Sequence, residues 1–483
     1  MEYKISSCSK ELNKTDQNYY FIGSTDKSQD IFDFHEISKI FGEVQVFHAN
    51  QQYDEAIKSL IHLRHRALIE NPDAFPLFNE NNIASILLDF LNNNFDFSFN
   101  RNAILIIIDF TRSNDKRYIN QFISLSIIDK IKYFIDESNL LAPFALLEIS
   151  YICNYKNTFD YLNQVDFNFD KFFQLLFTSH GKRSSEFMES FSLLSNMLNP
   201  QVNFNEIIII IKNIDKFIKI LPIHELSLYI NLINFIVDLT DYDNFYDFTK
   251  QTELVPDLIS LLYRINNPND VNIKFVYSLL SIITFISQDS RCPEIQGSFL
   301  IDFYFNFQNP IISPFIFYII GNLCKYHIEG PQNLFHSILN TNPSFDLINT
   351  AIQKGFINEL GKVISNAKYY KKIEAVTCFS KIIVCSTQTM RVAIINSSGL
   401  NLVTIMSLLI DSLFFDTDNT EVDIILALLC LFEDIQKTLN NEEIASIIEE
   451  TDLNRIYELD FEGGEENAIL KRLKNSLEAF YNL

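Results

Sequence analysis

Tryptophan is absent from the 483-residue chain, and glycine and proline are scarce, at 11 and 12. Such sparse turn punctuation excludes a many-stranded sheet protein, whose hairpins need these residues at short intervals. Basic residues are also in deficit, 38 against 61 acidic, for a formal charge of −23. That balance argues against nucleic acid and anionic membrane as partners and favours basic peptides or proteins. An acidic surface also serves simply to keep an apolar-rich chain soluble.

The opening stretch, MEYKISSCSKELNK, lacks an apolar signal core. The longest apolar stretches, such as Ile311 to Cys324, contain Ser, Pro or Gly and stop short of the ~20 residues that span a bilayer. A chain neither secreted nor membrane-spanning is expected, placed in the cytoplasm with the nucleus as a second location. Catalytic signatures are missing too: there is no Gly-rich phosphate loop, G-x-S-x-G elbow, H-E-x-x-H motif or Cys-His nucleophile arrangement. Acidic pairs such as Glu449 and Glu450, or Glu465 and Glu466, lie in the polar C-terminal region, where a solvated surface explains them. The spacing of Cys324 and His327 resembles half a zinc site, but no second Cys or His pair lies nearby. The expectation is a non-enzymatic chain with no catalytic residue, no cofactor and no metal.

What the chain has in abundance is apolar side chains, 47% of the total, including 45 Phe. Its seven cysteines (Cys8, Cys153, Cys292, Cys324, Cys378, Cys385, Cys430) are unevenly spaced, and several sit within apolar helical runs. They read as small core residues in a reducing compartment. Residues 1–33 mix Ser, Thr, Asn, Lys and Asp without a helical period and are expected to form a flexible polar N-terminal arm. Helical patterning begins near Phe34 and continues to Leu483.

Within residues 34–483 the chain resembles itself. Short amphipathic segments recur around Asp129, Asp170, Asp215, Asp257, Asp302 and Asp346, at separations of 41, 45, 42, 45 and 44. An aspartate ahead of an apolar i, i+3, i+4 run suits a helix N-terminus, so these six residues read as helix caps that mark register. Between them lie longer apolar helices, among them AILIIIDFTRS (Ala103 to Ser113), FALLEISYICN (Phe144 to Asn154), FVYSLLSIITFIS (Phe275 to Ser287) and FIFYIIGNLC (Phe315 to Cys324). Helices that are apolar nearly all round must be buried on both sides, as the inner helices of a stacked array are. A helical period of about 40–47 residues marks an armadillo or HEAT array. The predicted fold is therefore all-α, a right-handed armadillo-repeat α-solenoid superhelix of about nine repeats with atypical end caps. After Asp346 the spacing stretches, and Lys354 to Ala367 reads as an extra helix inserted in one repeat.

The stretch from Tyr53 through the Asn-Pro turn at Asn71 and Pro72 to Ser113 resembles the start of the importin-α armadillo domain. The stretch from Ile373 to Leu409 is similar to that family's late repeats, and Leu453, Asn454, Arg455 and Ile456 to its closing short helix. The resemblance implies an adaptor that binds extended basic peptides, such as nuclear localisation signals, along the concave groove for import into the nucleus. In that family Trp-x-x-x-Asn pairs on the third helices hold the peptide, with amides on its backbone and indoles against its lysine stems. Here the Trp positions fall on Leu105, Leu147, Ser192, Ser281, Tyr318 and Thr377, and the Asn positions on Asp109, Tyr151, Asn196, Phe285, Asn322 and Lys381. The peptide-binding candidates are thus Asn196, Tyr318, Asn322 and Asp109.

The family's Arg-rich importin-β-binding arm has no counterpart, since residues 1–40 hold five scattered lysines (Lys4, Lys10, Lys14, Lys27, Lys39) and no Arg. This speaks against importin-β docking. The basic island His62, Leu63, Arg64, His65 and Arg66 reads as a contact for an acidic partner or as a solvated helix face. Two functional readings follow. An importin-α-like adaptor requires an acidic inner face lined by Asn196, Tyr318 and Asn322. A divergent armadillo scaffold would instead bind a folded protein partner through an apolar or mixed face, without a role in nuclear import.

Overall fold

The computed structural model describes residues 34–64, 74–92, 95–113, 115–137, 140–178, 184–221, 230–242, 245–250, 252–265, 272–288, 295–307, 309–324, 343–414, 421–459 and 464–481. The expected polar arm, the Asn71–Pro72 turn, residues His65 and Arg66 of the basic island, Cys8, Cys292 and His327 lie outside these residues. Among the described residues every regular element is a helix. The fold is all-α, of the armadillo/HEAT-like solenoid class. The chain divides into two compact units, residues 1–155 and 156–483.

In the first unit the Phe34–Ala49 helix packs on Tyr53–Arg64, Ala74–Glu80 and Ile83–Asp89, and Tyr53–Arg64 packs on Phe97–Arg112. Phenylalanine dominates the joint. Phe78 is fully buried and meets Phe110 at 4.6 Å and Tyr118 at 4.9 Å between ring centroids. Rings fill the wedge between non-parallel helices with few rotatable bonds, and each fully buried ring contributes about 1.5–3 kcal/mol.

The second unit is built in two layers. Its third helices stack in chain order: Ile230–Thr240 on Ile273–Gln288, then Ser313–Leu323, Tyr369–Val384, Glu421–Thr438 and Gly464–Tyr481. Alongside, Phe169–Thr178 packs on Phe204–Ile220, which packs on Leu254–Arg264. The repeat period is visible in the hydrogen bonds that join neighbouring repeats. Asn213 donates to Asp170 across 43 residues, Ser278 to Asn234 across 44, Arg391 to Asp434 across 43 and Arg455 to Asp411 across 44.

The six ladder aspartates keep the register, but the capping role is corrected. Asp215 lies deep inside the 17-residue Phe204–Ile220 helix and Asp302 in the middle of Gly297–Phe307. Asp129, Asp170, Asp257 and Asp346 do fall in first turns, where a carboxylate suits the helix dipole. Several ladder carboxylates bridge repeats instead of capping. Lys219 reaches Asp215, Asp257 and Glu253 at 3.0–3.2 Å, and Lys354 pairs with Asp302 at 2.6 Å. Side-chain caps occur elsewhere: Asp96 accepts from the Phe99 N–H at 2.8 Å, and Asn440 and Glu443 form a reciprocal capping box.

The stretch read as an insertion forms the helix Phe356–Asn366, with Phe356, Ile357, Leu360, Val363 and Ile364 buried; with Pro343–Gln353 it precedes Tyr369–Val384 as Gln388–Ser397 and Leu402–Leu413 precede Glu421–Thr438. It is separated from Pro343–Gln353 by Gly355, whose φ of 75° is a left-handed conformation that glycine adopts without strain. No single helix among the described residues is long and apolar enough to cross a membrane. Cys153, Cys324, Cys378, Cys385 and Cys430 are all buried, which fits the expectation of core cysteines. Burial pushes the Cys430 thiol up to about 11, far from the thiolate that reactivity requires.

Candidate functional site

The sequence-predicted residues are not brought together as a set. Asp109 is half-buried in Phe97–Arg112, in the first unit. Asn196 is exposed in the second unit, one residue beyond the end of Ser184–Ser195, with its backbone N–H donating to the Ser192 carbonyl at 3.2 Å. Tyr318 and Asn322 are half-buried one turn apart on Ser313–Leu323.

That last pair is where a site takes shape, and Lys381 completes it. Apolar residues of Ser313–Leu323 on the faces away from Tyr318 and Asn322, among them Ile316, Phe317, Ile319 and Ile320, are buried and hold the helix in the stack. Gly321 sets the approach of the next helix. A Cβ there would stand 3.3 Å from Lys381 Cδ and 3.4 Å from the Cys378 Cα, so glycine lets Tyr369–Val384 come close. The closeness delivers the Lys381 ammonium to three groups. Its Nζ donates to Asn322 Oδ1 at 2.8 Å, lies 5.5 Å from the Tyr318 ring centroid and sits 3.7 Å from an Asp423 carboxylate oxygen on Glu421–Thr438. On the other side, Asn322 Nδ2 donates to Ser287 Oγ at 3.0 Å. The side chains of Lys381 and Asp423 are only 17% and 11% exposed, so this is a sheltered pair and not a surface ion pair.

A polar seam therefore crosses four successive third helices, from Ser287 through Asn322 and Lys381 to Asp423. Both ends of the Asn322 amide are engaged, and the aromatic face of Tyr318 already carries a cation. Glu374, two turns before Lys381, is buried with Oε2 lacking a hydrogen bond; burial raises its carboxyl to about 7 while Lys381 pulls it down.

Sequence reasoning placed Lys381 in the asparagine column and gave it no role. Its identity as a cation opposite Tyr318 and Asn322 was readable there. Ser287 and Asp423 carried no signal, because each is distant in sequence from its partner, Ser287 by 35 residues from Asn322 and Asp423 by a full repeat from Lys381.

The charge along the third helices is mixed. Arg101, Asp109 and Arg112 lie on Phe97–Arg112, and Glu186 and Glu189 on Ser184–Ser195. Lys274 lies on Ile273–Gln288, and Lys371, Lys372 and Lys381 on Tyr369–Val384; all these residues are half-buried or exposed. Among the described residues no group of three or more His, Cys, Asp or Glu side chains is arranged to hold a metal ion.

No protein-family model matches the sequence, and no curated protein matches it. Among solved structures the chain is similar to the crystal structure of an engineered protein, at 10% identity and a TM-score of 0.53, over 92% of this chain and 99% of that one. It also aligns, at 11% identity and a TM-score of 0.45, with a chain from work on a phosphorylation switch between cadherin and β-catenin, over 100% of this chain and 97% of that one. The likeness to the engineered protein is one of fold alone.

Proposed function

We propose that this chain is a non-enzymatic helical-repeat scaffold that binds a folded protein partner along its third helices. The observation that carries this reading is the occupation of Tyr318 and Asn322 by the chain's own Lys381. An aromatic face and a free amide would together suit an incoming lysine. Here both are engaged within the fold, and the charges around them alternate in sign. Such a surface matches a partner that presents both signs and apolar area, in preference to an extended basic strand.

Site-specific photo-cross-linking tests the proposal. Cross-linkers placed singly at Asn196 and Phe285 in the second unit of the full chain should capture one discrete partner, with yield that persists in high salt. Capture only from positions on the outer helices, such as Lys130 or Lys171, would sink it.

The importin-α-like adaptor for nuclear localisation peptides is retained as a second reading for one reason. The Lys381 contacts reproduce, inside the chain, the chemistry by which a ring and an amide hold a lysine. On that reading a basic peptide must displace Lys381, and Lys381→Ala should strengthen peptide binding. The chain would then act in the cytoplasm and the nucleus.

A further inference from the structure

Glu148 lies in Ala142–Lys156, within a run from Ala142 to Ser150 that is closed to solvent throughout. Its Oε2 is 2.7 Å from Oγ1 of Thr111, and that hydroxyl is 3.0 Å from the carbonyl oxygen of Ile108. A threonine hydroxyl has one proton to give. With that proton on the Ile108 carbonyl, the short contact to Glu148 needs a proton supplied by the carboxyl. The second oxygen, Oε1, is buried without a hydrogen bond, which a neutral acid tolerates far better than a carboxylate does.

The charged neighbours do not offset an ionised Glu148. On the facing Phe97–Arg112 helix, Arg101 sits over the Phe144 ring at 5.5 Å, Asp109 is half-buried and Arg112 is exposed. Lys116 lies over the Tyr155 ring at 5.4 Å, and Asp129 and Lys130 of Ile127–Glu137 are exposed, as is Lys156 at the end of Glu148's own helix. Burial is the main influence on the Glu148 carboxyl and raises it to about 8, with the Thr111 hydrogen bond acting in the opposite direction.

We propose that Glu148 is carried as a neutral acid and acts as a proton-dependent latch between Phe97–Arg112 and Ala142–Lys156, so that loss of its proton loosens this junction. Because the folded-state carboxyl stands at about 8 against an ordinary 4.5, the latch is fully stabilising below about pH 4.5 and is lost as pH rises through about 8. The neutral range lies inside that window.

Hydrogen-exchange mass spectrometry on the Ala142–Lys156 peptide, comparing the full chain with its Glu148→Gln variant at equal pH, reads the latch directly. Glutamine keeps the shape and supplies a permanent N–H donor to Thr111. The ratio of opening constants, native over variant, should grow about tenfold per pH unit between about pH 5 and 7.5 and level off above about 8. A ratio independent of pH overturns the proposal. Should Glu148→Gln fail to fold, infrared spectroscopy in a Glu374→Gln background, which removes the acid that burial raises to about 7, gives the second reading. A protonated-acid carbonyl band that persists at pH 7 and titrates away at higher pH supports the latch; its absence at pH 7 overturns it.

Discussion

At the scale of single residues, the sheltered charges decide what can be touched without cost. Lys381 holds Asn322 and Asp423 together, so Lys381→Met should destabilise the second unit by about 1–3 kcal/mol in urea denaturation, by removing a sheltered hydrogen bond and ion pair. Asp215 shows the opposite sign of dependence from an ordinary surface carboxylate. Burial, and then its hydrogen bond with Asp257, raise it from 3.8 to about 6, against the pull of Lys219. Its contribution is therefore complete below about pH 3.8 and is lost as pH rises through about 6. Asp215→Asn is expected to gain stability relative to the native chain across that interval, as followed by thermal melts at stepped pH. Parallel melting curves for the two proteins would contradict the assignment.

At the scale of helices, the stack depends on close approaches that small residues permit. Gly361 is the severest case, since a Cβ there would lie 2.1 Å from the Ser398 carbonyl oxygen, a backbone atom that cannot swing aside. Gly361→Ala should cost about 1–3 kcal/mol or more and loosen Phe356–Asn366 against Gln388–Ser397. Asn440→Ala, which breaks the capping box of Asn441–Thr451, should cost about 1 kcal/mol and raise hydrogen exchange in the first turn of that helix.

Helix boundaries were only partly legible in the sequence, for a physical reason. The apolar i, i+3, i+4 pattern after Asp215 is the same whether it opens a helix or continues one. The run Ile207 to Ile211 upstream is apolar on every side and hides the true start at Phe204. The helix after Gln353 was legible because its amphipathic period is clean and Gly355 precedes it.

At the scale of the whole molecule, the fold was written in the spacing of the aspartates, because a period near 43 residues constrains every repeat alike. The same period recurs in the hydrogen bonds from Asn213 to Asp170 and from Arg391 to Asp434. The site was less legible. Lys381 meets Asn322 across 59 residues, longer than the period of about 43, so the register by which a partner could be guessed is lost. Mixed charge on the third helices likewise depends on which residues face outward, which composition averages away. Net charge, at −23, suggested a basic ligand, whereas the seam around Lys381 shows a basic group already in place.

The most direct test of the scaffold reading is a titration of an extended lysine-rich peptide of the nuclear-localisation type into the full chain at low salt, followed by fluorescence anisotropy. The native chain should show no saturable binding, since Tyr318 and Asn322 are held by Lys381. Saturable binding that is lost on Asn322→Ala would contradict the scaffold account and establish the peptide adaptor in its place.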